Sequence, residues 1–323
     1  MKSYIVKQKD LNSRMLSRSG GIFAAISDQV LAQGGVIYGA GMDKNFNVVH
    51  KRAVNATERD ELRGSKYVQS DMHNAYRLAC EDLKAGRLVL FTGTPCQVDG
   101  IKALCPKGCE EHLVCMDIVC HGVPSPRVWN DYKTYVERKY HGKIEKVDFR
   151  NKERFGWSDH WETITINGKE HDSQVYMKMF YEHTFLREAC YVCPYKNLQR
   201  ISDISIADAW GVGTANPEFD DNRGVSLVLI NTQKGEKWFL DSLQGCDYKE
   251  CDLEKYMQEP LKRPFKKPDN TENVWKEYNE VSFGKFVKNH YKEPFLSVVK
   301  RSLKRKIKDM IPKEFWNRLR RWR

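Results

Sequence analysis

Short apolar segments alternate with segments of helical periodicity through the first half of the chain. Runs of the buried-strand type cover residues 36–40, 48–54, 87–92 and 113–119. Helical patterns cover residues 22–33, 71–85 and 96–104, and another begins after Pro126. Strands that alternate with helices in this way predict an α/β fold, in which a central sheet is flanked by helices.

The second half of the chain is less regular and predicts a mixed α+β arrangement. Strand-like runs cover residues 144–150, 161–167, 204–207 and 225–231, and helical patterns cover 174–183 and 234–243. Residues 260–275 are rich in proline and charge, which is typical of a linker or a surface arm. We therefore expect a domain over 1–259, a linker or surface arm over 260–294 and a tail over 295–323.

Two cysteines lie where such a sheet would bind a ligand. Cys96 and Cys120 each follow the carboxyl end of a predicted strand. Open α/β sheets bind ligands at this edge, so the loops there are the expected ligand loops. If the two strands are neighbours, both thiols enter the same crevice.

A C-x-x-C sequence runs from Cys190 to Cys193 and is followed at once by Pro194. Two thiolates three positions apart can bind one metal centre from the same side, and the proline favours a loop over a helix. With Cys96 and Cys120 they make four thiolates, the number that a 4Fe–4S cluster requires. The same four cysteines suit a tetrahedral zinc site, and a third alternative is that the C-x-x-C pair alone binds metal.

Composition narrows the class of protein. The 323 residues include ten cysteines, and we find no run of eighteen apolar residues, so we expect no transmembrane helix. The N-terminus lacks the apolar stretch of a signal peptide, which predicts a cytoplasmic protein. Cysteines in that compartment are expected to be reduced, metal-binding or catalytic.

The formal net charge of +11 comes mostly from the end of the chain, where residues 300–323 hold eleven lysines and arginines and two acidic residues. The nearly balanced body argues against a nucleic-acid-binding surface. From 295 to 323, apolar residues and tryptophans alternate with the cations, as in helices that lie on anionic membranes. We therefore predict peripheral membrane association through 295–323. The alternative is a C-terminal helix packed on the body.

Seven short motifs, in their order and spacing, resemble one family. They are Ser17-Arg18-Ser19-Gly20-Gly21-Ile22-Phe23, Arg63-Gly64-Ser65-Lys66-Tyr67-Val68-Gln69-Ser70, Thr92-Gly93-Thr94-Pro95-Cys96-Gln97, Asp117-Ile118-Val119-Cys120-His121-Gly122-Val123-Pro124-Ser125, Phe149-Arg150-Asn151-Lys152 with Gly156-Trp157, the run from Cys190 to Lys196, and the run from Arg200 to Gly211. The series resembles the coenzyme F-420 (deazaflavin) hydrogenase/dehydrogenase beta subunit family over roughly residues 15–235, and in particular its members among bacterial polysaccharide-biosynthesis genes.

The resemblance implies an oxidoreductase that holds FAD and a 4Fe–4S cluster. It would pass electrons from a ferredoxin-like donor, through the cluster and the flavin, to a small-molecule substrate. Members of this type usually carry an N-terminal ferredoxin-like segment with its own cysteines, but the first cysteine here is Cys80. We therefore expect a separate ferredoxin-like donor, and a substrate in surface-polysaccharide biosynthesis. The alternative is a non-enzymatic, zinc-stabilised scaffold at the membrane.

FAD is implied by the resemblance, and three loops rich in Gly, Ser and Thr permit it. The first loop precedes a predicted helix, whose N-terminal amides suit a pyrophosphate. Neither a G-x-G-x-x-G sequence nor a P-loop is present, and each loop taken singly is also explained as an ordinary turn. The expected flavin-binding residues are Ser17, Ser19, Gly20, Gly21, Arg63, Gly64, Ser65, Lys66, Tyr67, Gln69, Thr92, Gly93, Thr94 and Gln97.

The remaining expected site residues lie in or beside these motifs. His121 follows Cys120 and is the expected catalytic residue as a proton donor, or else it satisfies a loop carbonyl. The residues expected to bind an anionic substrate, or else to form structural ion pairs, are Arg150, Lys152, Arg200 and Asp203. Cys105, Cys109 and Cys115 match no motif of the family, and a second metal centre on them is a further hypothesis.

Overall fold

The structure is a computed structural model that describes residues 2–291. Its contacts divide the chain into two compact units, 1–272 and 273–323, and each is described by itself. The predicted amphipathic tail, 295–323, lies outside the described residues.

The strands and helices confirm the predicted α/β class. The strands are β1 (Lys2–Gln8), β2 (Val36–Met42), β3 (Val48–Ala53), β4 (Val89–Gly93), β5 (Leu113–Ile118), β6 (Ile144–Asp148), β7 (Glu162–Ile166), β8 (Lys169–Ser173), β9 (Ile204–Asp208), β10 (Ser226–Ile230) and β11 (Cys246–Glu250). The helices are α1 (Leu11–Leu16), α2 (Ile22–Ala32), α3 (Ala56–Asp60), α4 (Ala75–Lys84), α5 (Pro95–Leu104), α6 (Pro126–Tyr140), α7 (Lys152–Phe155), α8 (Val175–Tyr181), α9 (Glu188–Tyr191), α10 (Val212–Ala215), α11 (Gln233–Asp241), α12 (Thr271–Glu280) and α13 (Phe283–His290).

The large sheet has the strand order β11-β1-β10-β9-β5-β4-β2-β3. Strands β2, β4, β5 and β9 run parallel, and β10 pairs antiparallel with both β9 and β1. Strands β4 and β5 are direct neighbours, with Gly93 opposite Asp117. The two strands that precede Cys96 and Cys120 therefore end side by side.

Both faces of this sheet are covered, because alternate residues of its strands point to opposite sides. On one face, Ile22 and Ile26 of α2 and Phe239 of α11 pack with Leu90 and Val114. On the other face, α4 and α5 cover β4 and β5. The ligand edge of the sheet is thus left to the loops.

A smaller antiparallel sheet, in the order β6-β7-β8, adjoins α6 and α8. Buried Glu162 of β7 accepts hydrogen bonds from Tyr132 Oη at 2.9 Å and from the Tyr176 amide at 3.0 Å. Asn167 and Gly168, with φ of 51° and 68°, form the turn between β7 and β8, which begins at Lys169.

Two further differences concern elements that the sequence patterns did not predict. β1 and β11 pair with each other at one side of the sheet, and β1 also pairs with β10. Cys190 lies in the short helix α9, so the expected loop begins only after Tyr191.

In the second unit, the part of α12 after Glu272 pairs with α13. The Tyr278 ring lies 5.3 Å from that of Phe286, between centroids. Glu277 accepts hydrogen bonds from Asn289 at 2.7 Å and from His290 at 2.8 Å.

Candidate functional site

The quoted motifs gather at the carboxyl edge of the parallel strands. The loop 17–21 follows the carboxyl end of β1, where the Gln8 amide donates to Gly20 O at 2.8 Å. Ser226, at the start of β10, lies opposite Asp208 at the end of β9. Cys96 and Cys120 follow β4 and β5 at the same edge.

Two of the four expected cluster ligands are placed by the ends of β4 and β5. Thr94 caps α5, so Cys96 lies in the first helical turn, with its Sγ 3.2 Å from Thr94 Oγ1. Cys120 lies in the loop after β5, where the Gly122 amide donates to its Sγ at 3.3 Å. Gly122 has a φ of 111°, which favours glycine.

The C-x-x-C sequence lies against this loop. A Cβ on Gly122 would be 3.3 Å from Cys190 Cβ. Burial raises the pKa of Cys120 to about 12, and the thiols of Cys96 and Cys190 add to the rise. Although Cys96 is exposed as a residue, burial of its thiol raises its pKa too, with additions from Cys193 and Cys190. The four thiols therefore lie near enough for their charges to act on one another, and their binding of one metal centre stays a prediction.

Two kinds of metal site require different spacings of four thiols. A zinc ion needs its sulfurs about 2.3 Å from one point, and hence about 4 Å from one another. A cubane cluster binds each thiolate to a different iron, so its sulfurs lie further apart. Within residues 2–291, no group of three or more Cys, His, Asp or Glu side chains is close enough to hold a single metal ion.

Two buried cations hold the C-x-x-C sequence in place. Lys196 Nζ donates to His121 O at 2.9 Å and to Cys190 O at 3.3 Å. Arg200 forms an ion pair with Asp117 of β5 at 2.7 Å and donates to Tyr195 O at 3.0 Å. Both partners of that pair are almost fully buried, so Arg200 anchors the cysteine sequence to the sheet.

Asp208, at the end of β9, is the centre of a cluster of polar and aromatic side chains, which we name the polar crevice. It accepts hydrogen bonds from Arg150 Nη1 and from Trp157 Nε1, each at 2.7 Å. Burial acts to raise the pKa of Asp208, but Arg150 and Arg18 hold it below its ordinary value. Arg18 donates to the carbonyl oxygens of Arg150 and of Trp157. Arg150 thus pairs directly with the Asp208 carboxylate, and the positive charge of Arg18 acts on it from nearby.

Several buried polar atoms of the crevice have no hydrogen-bond partner among the described residues. They are the Nε atoms of Arg18 and Arg150, Nδ1 of His121 and Nε2 of His183. Buried polar atoms in folded proteins are nearly always satisfied, so each such atom needs an explanation. Ordered water or a polar ligand would satisfy these four atoms.

His121 lies among aromatic rings at the side of the crevice next to the thiols. Its ring centroid is 5.4 Å from that of Phe265 and 6.4 Å from that of His183. Burial, and then the nearby His183 and Lys196, lowers the pKa of His121 to about 4. The imidazole is therefore neutral at neutral pH, with one ring nitrogen that donates a hydrogen bond and one that accepts.

A comparison with protein-family models shows which family the chain belongs to. The model for the C-terminal region of the coenzyme F420 hydrogenase/dehydrogenase beta subunit matches residues 86–255. The chain belongs to this family. The resemblance seen in the motifs is thereby confirmed, and the family is one of redox subunits of the hydrogenase/dehydrogenase type.

The fold also resembles a solved structure. A chain of the xenon-derivatised F420-reducing [NiFe] hydrogenase complex from Methanosarcina barkeri matches with a TM-score of 0.54 and 17% identity, covering 87% of this chain and 93% of that one. At this identity the match shows the fold alone. No curated protein matches the chain. Within residues 2–291, no helix is long and apolar enough to cross a bilayer.

The first expected flavin-binding loop, 17–21, lies at the edge of the crevice. Gly20 in this loop is required for a reason other than flavin binding. A Cβ on Gly20 would lie 2.0 Å from Val6 O and 2.6 Å from Ser226 N, so the strands require this glycine. Ser19 Oγ donates to Val225 O. Gly21 begins α2 with a φ of 96°. Close contact with the protein backbone thus explains Gly20 without a ligand.

The second expected loop, 63–69, connects the first loop to the crevice. Arg63 Nη2 donates to Ser17 Oγ at 2.8 Å, and Arg150 Nη1 donates to Tyr67 Oη at 3.2 Å. Burial lowers the pKa of Lys66 to about 7, and Lys51 adds to the effect. The other three expected residues lie differently: Gly64 and Ser65 are exposed, and Gln69 accepts a hydrogen bond from Arg187.

The third expected loop, 92–97, is tied into the fold by its own hydrogen bonds. The Thr94 amide donates to Gln97 Oε1 at 3.0 Å, and Gln97 Nε2 donates to Ser70 Oγ at 2.8 Å. Thr92 Oγ1 donates to Tyr38 O at 3.0 Å. A Cβ on Gly93 would lie 2.9 Å from Gln97 Oε1. This loop therefore positions Cys96, and its side chains are largely committed to that task.

The four expected substrate residues separate into different places. Arg150 lies in the crevice, and buried Lys152 donates to Arg14 O at 2.6 Å and to Ser19 O at 3.3 Å, beneath the 17–21 loop. Burial, then Arg18 and Arg14, lowers the pKa of Lys152 to about 7. Asp203 precedes β9 at the opposite end from Asp208, and accepts from the Cys115 amide at 2.8 Å. It is not brought to the crevice.

The cysteines outside the motifs lie elsewhere. Cys115 is buried in the core, which raises the pKa of its thiol to about 12. Cys80 Sγ donates to Leu104 O at 3.2 Å, and Cys109 Sγ to Leu83 O at 3.6 Å. The charges of Cys80 and Cys109 also act on Cys105, and that of Cys105 acts on Cys115. A second metal centre on Cys105, Cys109 and Cys115 stays a prediction.

Several crevice residues were not predicted from the sequence. Arg18, Lys196 and Asp208 stand inside the quoted motifs, but their roles depend on strands that meet only in the fold. His160 and His183 lie in no motif, and only their buried rings mark them.

Proposed function

We propose that this chain is an oxidoreductase that holds a 4Fe–4S cluster on Cys96, Cys120, Cys190 and Cys193, and FAD in the adjoining crevice. It would pass electrons from a ferredoxin-like donor protein to a small-molecule substrate. The observation that carries the proposal is the meeting of four cysteines, from three distant parts of the chain, beside buried polar atoms that lack partners.

The bound cofactors would supply the redox chemistry, since iron–sulfur clusters carry single electrons and flavins exchange one or two. The chain supplies position and charge. Lys196 lies close enough to Cys120, Cys190 and Cys193 for their negative charges to oppose the effect of burial on its pKa. A buried ammonium beside thiolates favours their ionised form, which is the form that binds iron.

The crevice supports an anionic ligand with an aromatic part. Arg18 and Arg150 offer unpaired Nε donors, which suit phosphate or carboxylate oxygens. The parallel rings of Trp157 and Trp210, 4.7 Å apart between centroids, lie beside Arg150, whose guanidinium is 5.1 Å from the Trp210 ring. FAD phosphates, or an acidic substrate, match this chemistry.

His121 is the proposed proton-transfer residue. Its Nδ1 has no partner among the described residues, and the charges of Lys196 and Asp208 act on its ring. In the neutral form one ring nitrogen donates and the other accepts, so His121 can accept a proton at one ring nitrogen while it releases one from the other.

The substrate and the cellular location are finer parts of the proposal. A surface-polysaccharide precursor is the proposed substrate, because the motifs resemble family members found among bacterial polysaccharide-biosynthesis genes. The cytoplasmic face of a membrane is proposed from the basic, tryptophan-containing sequence of residues 295–323.

Metal and flavin analysis of anaerobically purified full-length protein tests the proposal. We expect about four iron and four acid-labile sulfide per chain, with FAD released on denaturation. Cys96→Ser should lose most of the iron, whereas Cys251→Ser, a partly exposed cysteine of another region, should keep it. A zinc-containing, flavin-free protein would instead favour the scaffold alternative.

A further inference from the structure

The C-x-x-C sequence presents an apolar side chain to solvent between its two cysteines. Val192 is 78% exposed, and Leu198, a few residues further on, is 38% exposed. Cys96, which faces the same thiols, is also exposed. We name residues 186–199 the cysteine loop. The proposed cluster would therefore lie just beneath an apolar surface.

A cationic segment runs along this loop. Residues 262–267, here named the basic strap, have the sequence Lys-Arg-Pro-Phe-Lys-Lys. Phe265 fixes the strap from within, because its ring stacks on His183 at 3.8 Å between centroids and lies 4.8 Å from Lys196 Nζ. The phenylalanine points inward while the cations face solvent.

The basic strap lies against the cysteine loop near the start and near the end of that loop. Near the start of the loop, Lys267 Nζ forms an ion pair with Glu188 at 2.9 Å. Near its end, Lys262 and Leu261 line an open groove of about 570 Å³ together with Leu198. The strap is thus joined to the cysteine loop on both sides of Val192 along the sequence.

We propose that Val192 and the basic strap form the docking surface for a small acidic one-electron carrier protein. The inference rests on the proposed function and names where its donor binds. One electron would pass from the reduced carrier to this chain, with no bond made or broken and no proton transferred. Cys96 is the exposed residue among the four cysteines, so this face offers the electron a short path to the proposed cluster.

The charges of the strap favour an acidic partner. Arg263 pairs with Glu259 at 2.5 Å and Lys266 with Asp269 at 2.8 Å, and all four side chains are at least 38% exposed. Exposed ion pairs are weak, so the cations can exchange these partners for carboxylates of a docking protein. An apolar centre with a charged rim is the usual anatomy of such interfaces.

Direct binding tests the surface without relying on turnover. A fluorescently labelled, acidic bacterial-type ferredoxin is titrated with the full-length protein at low and high salt. We expect saturable binding that weakens with salt, and a loss of about tenfold in affinity for Val192→Asp and for the double variant Lys262→Glu/Lys266→Glu. Leu240→Asp and Lys237→Glu on α11 are matched controls, since both side chains are exposed, and should bind as the parent does.

Iron content is measured on every variant, so that loss of the cluster is distinguished from loss of docking. Iron-containing variants that bind ferredoxin as tightly as the parent would overturn the inference and leave the proposed function standing. An equal loss in the α11 controls would overturn it too. A change of oligomeric state in Val192→Asp, with ferredoxin binding unaffected, would assign the surface to a second copy of the chain.

Discussion

Lys196 donates a hydrogen bond to the backbone carbonyl oxygen of His121 at 2.9 Å, and thereby ties the C-x-x-C sequence to the loop that carries Cys120. The same ammonium group reaches Cys190 O at 3.3 Å. One buried cation therefore serves both halves of the proposed cluster site, as an anchor and as a positive charge.

Replacing this cation should change the cluster. We expect Lys196→Met to lower the reduction potential by on the order of 50 mV, because an added electron loses a neighbouring positive charge. Lys196→Arg keeps the charge and should remain closer to the parent. An EPR-monitored redox titration measures the potential, and iron analysis shows whether the cluster is retained. Equal potentials in the Met variant and the parent would contradict an electrostatic role.

The ion pair of Arg150 with Asp208 should contribute strongly to stability. Asp208→Asn leaves the buried Arg150 guanidinium without its carboxylate and removes the negative charge near Arg18, so we expect the free energy of unfolding to fall by about 3 kcal/mol. Urea denaturation measures it. Asp269→Asn breaks a fully exposed pair and should leave the free energy of unfolding nearly unchanged. Similar losses in the two variants would contradict the account.

His50 should make the protein sensitive to acid. Its ring is buried, with Nδ1 2.8 Å from Ser70 Oγ and Nε2 3.0 Å from Thr92 O, and burial lowers its pKa to about 4. The ordinary pKa of about 6.5 applies to the unfolded chain. Its contribution is therefore fully present above pH 6.5 and is lost as the pH falls towards 4, by up to about 3 kcal/mol.

Unfolding free energies at several pH values, for the parent and for His50→Gln, measure this effect. The variant should lose less stability between pH 6.5 and 4, with other buried histidines accounting for the remainder. His112→Gln, at an exposed position, is the control. Identical pH profiles for the parent and His50→Gln would show that His50 is not buried in its neutral form.

Arg18 should be needed for the flavin. Its unpaired Nε and its buried charge suit the phosphates of FAD, so Arg18→Gln should weaken FAD binding by about tenfold. Quenching of flavin fluorescence measures the affinity, and a melting curve checks the fold. Arg138→Gln, at the exposed end of α6, should bind FAD normally. Unchanged affinity in Arg18→Gln would place the flavin elsewhere.

The sequence predicts a strand of the sheet well where a continuous apolar run marks that strand. β4 and β5 were predicted, and with them the common edge of Cys96 and Cys120, because each is a continuous apolar run before a conspicuous loop. β1 was not predicted, since its neighbours β10 and β11 come from the far end of the sequence and Lys2 pairs with Ile230. The turn at Asn167 and Gly168 had a readable signal, as Asn-Gly is typical of tight hairpins.

The site is predictable only in part. The motifs show which positions hold cysteine or glycine. They do not show which neighbouring atoms make that residue necessary. Gly20 shows this, because a flavin and a packed strand would require the same glycine, and the structure places Val6 O there. Arg18 and Asp208 meet only once β1, β9 and β10 have assembled.

The central claim is that four cysteines bind one iron–sulfur cluster. A crystal structure of anaerobically prepared protein, with anomalous diffraction measured on both sides of the iron absorption edge, tests it most directly. The account predicts a single compact group of iron peaks with Sγ of Cys96, Cys120, Cys190 and Cys193 bound around it. A single peak at the zinc edge, or iron bound without Cys96 and Cys120, would contradict it.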